Sequence, residues 1–162
     1  MRRSGVRRRL VAGALAFTTA LPAMVGCGVS SHRDSRAFDG ARRDVSLEAL
    51  AAQLGVTIPE CAVGIRYFAS DGIQDNLYLR FTADSPCFSR YRERQRLSDK
   101  SAGPVQPLSF AASDVKGLDW GIREGVEFDF YLADVTGTHR DVELSVYRDE
   151  VDQLVLVYAF EM

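Results

Sequence analysis

The sequence predicts an α+β domain, an antiparallel sheet of about five strands with one face covered by helix. Three observations lead there. Five segments alternate apolar and polar side chains with the period of a half-buried strand. They come as a pair and then a run of three, joined by turn signals, which gives an N-terminal hairpin and a C-terminal meander. Between the two groups lies a stretch with helical spacing that opens on Ser85-Pro86.

Ser46 is placed to cap a short helix over 47–54. Leu47, Leu50, Ala51 and Leu54 share one face, and Gly55 supplies the stop. Past Pro59 the period changes to two. Val63, Ile65 and Tyr67 alternate with Gly64, Arg66 and Phe68; Ser70-Asp71-Gly72 signals a turn; Leu77, Leu79 and Phe81 alternate with Tyr78, Arg80 and Thr82. Ser85 as N-cap and Pro86 as first helical residue then start a helix reaching about 97, with Phe88, Tyr91 and Gln95 inward and the arginines outward. Residues 98–125 have no clean period and contain Pro104, Pro107, Gly117 and Gly121; a loop of this length in a small domain is commonly functional. The last three strands alternate through Val126–Leu132, Val142–Tyr147 and Leu154–Phe160, with turns at Thr136-Gly137-Thr138 and 149–152.

The N-terminal region has a separate logic. Arg2, Arg3, Arg7, Arg8 and Arg9 precede an uncharged Ala- and Leu-rich run over 10–21, the layout of an export signal. Met24, Val25, Gly26 and Cys27 then resemble the bacterial lipobox. That resemblance implies removal of 1–26 and a thioether-linked diacylglycerol on Cys27. Two acyl chains anchor stably, each buried methylene adding about 0.8 kcal/mol. The alternative, a membrane span, needs roughly 20 apolar residues and is disfavoured by Gly13, Pro22 and Gly26. Arg7-Arg8-Arg9-Leu10 also resembles a twin-arginine signal but lacks the Ser before and the Phe after the pair, so Sec export is preferred. The expected organisation is a signal peptide over 1–26, a flexible polar tether over 27–44 that includes His32, and a single domain over 45–162.

Loss of the five leader arginines takes the net charge from −2 to −7. An acidic domain is a poor partner for nucleic acid and for broad adhesion to anionic lipid. With Cys27 assigned to lipid, Cys61 and Cys87 remain. A hairpin turning near Gly72 brings the residue before its first strand beside the residue after its second, so a disulfide is expected; two free buried thiols are the alternative. Closing that loop in an oxidising compartment would contribute about 3 kcal/mol.

Catalytic residues are scarce. His139 is the sole histidine of the expected domain and falls in a turn. There is no Gly-x-Ser-x-Gly, no His-Glu-x-x-His and no phosphate-cradling glycine loop. Glu127 and Asp129 fit a solvated strand face, and the acidic turns at Asp71/Asp75 and Asp149/Glu150/Asp152 lack calcium-loop spacing, so no metal or cofactor is expected. Arg90, Arg92, Arg94 and Arg96 form two i, i+4 stripes, either a solvated face or a docking strip. Trp120 is expected either to plug the long loop onto the core or to line a groove with Tyr131 or Tyr147.

The run Ile65-Arg66-Tyr67 with Gln74-Asp75-Asn76-Leu77-Tyr78-Leu79-Arg80-Phe81-Thr82 resembles small actinobacterial lipoproteins of uncharacterised function. Lysine only at 100 and 116, against many arginines, has the compositional bias of a GC-rich genome. The resemblance implies location and fold and carries no catalytic residue. The expected protein is therefore a lipid-anchored domain at the extracytoplasmic face of the cell membrane, a non-catalytic binding module rather than an enzyme. Arg90, Arg92, Arg94, Arg96 and Trp120 would form its surface, toward an envelope protein or an anionic envelope polymer. A small-molecule carrier or sensor with a pocket under 98–125 is the second reading, a small hydrolase the third.

Overall fold

The Ser46 hydroxyl accepts a hydrogen bond from the Ala49 amide at 3.2 Å and starts helix α1, Leu47–Gln53, where the cap signal puts it. The computed structural model describes residues 34–70, 75–98, 101, 105–112, 115–135 and 142–161. Strands β1 (Val63–Ala69), β2 (Asn76–Thr82), β3 (Asp129–Val135), β4 (Val142–Arg148) and β5 (Leu154–Glu161) form one antiparallel sheet in the order β1-β2-β5-β4-β3. The hairpin and the meander thus lie side by side, joined where β2 pairs with β5 from Asn76 opposite Phe160 to Thr82 opposite Leu154. Gly64, with φ at +64°, sits in a register shift between Val63 and Arg66, a conformation costly for a residue with a Cβ.

Helix α2, Ser85–Gln95, follows β2. Its cap lies one residue earlier than the pattern suggested: the Asp84 carboxylate accepts from the Cys87 amide at 2.8 Å, and Ser85 becomes the first helical residue. The helix also ends earlier, since Arg96 turns into the left-handed region (φ 53°) and the amides of Arg96 and Leu97 bond back to Glu93 and Arg92. Phe88, Tyr91 and Gln95 are buried, as their spacing predicted.

One face of the sheet, carrying Leu77, Leu79, Phe81, Leu144, Val146, Val155 and Val157, is packed in a single cluster with residues of α1 and α2. The other face carries Phe68, Tyr78, Tyr147 and Leu156 and is covered by Phe38, Phe110, Val115 and Trp120. This second layer corrects two expectations. Residues 34–44 are not a flexible tether: Phe38 is only 6 % exposed, its amide bonds to the Tyr67 carbonyl, and Arg42 bonds to Ala69. Apolar Phe38 and Ala41 give that polar stretch something to bury, so the packed unit includes 34–44 as well as the expected 45–162. Nor is 98–125 merely a loop. Ser98, Ser101 and Val105 donate to Leu132, Phe130 and Phe128 along the outer edge of β3, and Leu108–Ala111 forms a 3-10 turn. Phe128 exchanges both backbone bonds with Val105, so β3 begins at Asp129 rather than 126.

Candidate binding surface on the second helix

Cys61 and Cys87 are joined, with Cα atoms 6.0 Å apart. Cys87 is fixed in the first turn of α2 and Cys61 ends the segment that leads into β1, so the bond ties that segment to the helix. Four residues of α2, Cys87, Arg90, Tyr91 and Arg94, stand at i, i+3, i+4 and i+7, one face of a helix. Across from them run Thr57, Pro59, Glu60 and Cys61, and between the two walls lies a groove of about 330 Å³. Gln95 ties the start of that wall to the helix: its Oε1 accepts from the Thr57 amide and its Nε2 donates to the Gly55 carbonyl, both at 2.8 Å. Gln95 is buried with both amide atoms satisfied, a role its inward spacing hinted at.

The four arginines of the expected stripe do not act alike. Arg90 and Arg94 are exposed on the groove and make no hydrogen bond or ion pair among the described residues. The Arg92 guanidinium lies 5.4 Å from the centre of the Tyr131 ring. Arg96 has left the helix at its cap, so the second i, i+4 stripe is broken. Elsewhere arginines hold carboxylates: Arg36 with Asp34 and Glu48, Arg42 with Asp44 and Asp75, Arg80 with Asp119, Arg123 with Asp149 and Asp152. Tyr91 also lines the groove, but its hydroxyl is buried without a partner, and desolvation raises its pKa well above the ordinary tyrosine value, so it remains a neutral O–H.

Trp120 does not belong to this surface. It is 3 % exposed, its indole Nε1 donates to the Val115 carbonyl at 3.1 Å, and its ring meets Phe38 and Phe110 edge-on at 4.7 and 4.9 Å. That is the plug role on the face of the sheet opposite α2, so Trp120 and the arginines cannot share one surface. Tyr147 is in its cluster, whereas Tyr131 packs with Phe88 on the helical side. An open cleft of about 380 Å³ lies outside the plug, between Gln106–Ala111 and Lys116–Ile122.

The acidic turn at Asp149 is accounted for locally. Its carboxylate accepts from the amides of Val151 and Asp152, and Arg123 pairs with Asp149 and Asp152. Among the described residues no group of His, Cys, Asp and Glu is arranged to hold a metal ion. Cys27, His32, Asp71 and His139 lie outside the described residues. No family model, curated protein or solved structure matches the chain.

Proposed function

We propose that this chain is a lipid-anchored domain on the extracytoplasmic face of the cell membrane and that it acts by binding, without catalysis. The arginine-led apolar run ending in Gly26-Cys27 carries the reading, with Cys27 as the acylated residue. The Cys61–Cys87 bond supports it independently, because disulfides persist in oxidising compartments. Among the described residues no helix is long and apolar enough to cross a membrane. Binding centres on the groove of Arg90 and Arg94, whose charges are uncompensated on an otherwise acidic domain, and the partner is a component of the envelope rather than nucleic acid.

The anchor is tested by metabolic labelling with an alkyne fatty acid in a lipoprotein-processing bacterial host. The wild-type chain is expected to be labelled and to sediment with membranes, and Cys27→Ala to lose both properties. A wild-type chain that stays unlabelled, with residues 1–26 still attached, overturns the proposal. A second reading, a small-molecule carrier, draws on the cleft beside Trp120. Ligand-dependent change in Trp120 emission would favour it.

A further inference from the structure

We infer that the groove between α2 and 57–61 recognises a short acidic segment of a partner protein, its carboxylate held between Arg90 and Arg94. This rests on the binding-module reading and gives its site a ligand class. The groove is built before any ligand arrives. The disulfide fixes one end of the 57–61 wall and the two Gln95 hydrogen bonds the other, so little ordering entropy opposes binding. Two guanidinium groups one helical turn apart line it without partners among the described residues. Two arginines at i, i+4 can present their planar forks to one carboxylate, the geometry in which Arg exceeds Lys.

The rest of the lining selects among anions. Glu60 stands on the groove itself and the domain as a whole is acidic, so a polymer with a charge on every repeat meets repulsion beyond its first contact. Pro59, the Cys61–Cys87 pair and Tyr91 line the groove beside the arginines and give it an apolar part. A peptide with one acidic residue beside an apolar one satisfies both features. The small volume takes side chains of a short segment rather than a folded surface.

The test uses the purified full-length chain in detergent and a displayed library of random heptapeptides, half with Glu fixed at the centre and half with Gln. Selection is expected from the Glu half only. Arg90→Gln with Arg94→Gln should weaken the selected peptides about tenfold or more, and Arg96→Gln not at all. Arg90 and Arg94 are exposed, so their loss leaves folding intact, checked by unchanged thermal melting. Equal enrichment of the Gln half overturns the inference. So does stronger competition by inorganic polyphosphate than by the Glu peptides, or an Arg96→Gln loss equal to that of Arg94→Gln, either of which marks diffuse charge attraction. Because the readout does not depend on Cys27, a chain that binds these peptides without being acylated loses only the proposed location.

Discussion

On one face of the sheet Leu77, Leu79, Val155 and Val157 lie beneath two regular helices; on the other, Phe68, Tyr78 and Tyr147 lie beneath 34–44, 105–112 and 115–126, which have almost no regular structure. The helices satisfy their own backbone groups, so their only task is to bury an apolar stripe, and aliphatic side chains do that well. An irregular segment must find outside partners for its amides. Here those partners are the sheet's two open edges. Arg36, Phe38 and Arg42 engage β1, and Ser98, Ser101 and Val105 engage β3. Both edges, which would otherwise invite pairing with another chain, are covered by the strands' own neighbours. Large rings such as Phe38, Phe110 and Trp120 then span the gap that a segment without helical bulk leaves over the sheet.

This contrast predicts unequal and separable stability. Leu79→Ala removes a fully buried side chain from the helical face and should cost about 3–4 kcal/mol of global stability in urea unfolding. Trp120→Ala removes a larger side chain but from a layer that can yield locally, with an expected cost of about 2–3 kcal/mol. Hydrogen exchange separates the two. The Trp120 variant should lose protection at Phe38 and Val105 while the β2 and β5 amides keep theirs. Parallel loss in β2 and β5 would make the two faces one cooperative layer and erase the contrast.

The disulfide sharpens the same comparison from the helical side. Cys61 and Cys87 are 26 residues apart in sequence, so replacing both by Ala should lower stability by about 3 kcal/mol through the unfolded chain. The urea midpoint should fall and m should rise, because the freed unfolded chain exposes more surface. Trp120, the sole tryptophan, reports on the opposite face, and its native emission should stay as it is. A red shift in the native state would mean that the bond also supports the aromatic layer.

The helical face was legible because period and caps act locally. Ser46, the Phe88/Tyr91/Gln95 spacing and the alternation of all five strands each state their role within a few residues. The Cys61–Cys87 pairing followed from the hairpin geometry once Cys27 had been set aside for lipid. The aromatic face was not legible, since Phe38 and Trp120 meet only after two sheet edges have been paired across the whole width of the domain. A lone Phe in a polar run carries no period, so 34–44 read as tether. The site was half legible. The arginine spacing gave the exposed Arg90/Arg94 stripe, but the groove needs the 57–61 wall, and only the disulfide and Gln95 put it there. The break of the second stripe at Arg96 depends on a left-handed cap taken by a non-glycine residue, which no sequence signal announced.

The smallest expected effect separates the two irregular segments from each other. Asp34 sits at the start of the 34–44 segment, where the Arg36 guanidinium donates to its carboxylate and also reaches Glu48 on α1. The hydrogen bond from Arg36 holds the Asp34 carboxyl below the ordinary aspartate range. A carboxyl lowered on folding stabilises the native state above its unfolded pKa of about 3.9, and that contribution disappears as pH falls through the lower folded value. The pair is partly exposed, so the contribution is below about 1 kcal/mol. Phe38 and Arg42 amides, which bond to Tyr67 and Ala69, should therefore lose protection as pH falls below the ordinary aspartate range, after correction for intrinsic exchange, whereas Val105 and Trp120 should not. Asp34→Asn should flatten the response of Phe38 and Arg42. If the Asn variant follows the wild-type profile, the edge of β1 is held by its backbone bonds and the Phe38 ring alone, and the ion pair at its start adds nothing to them.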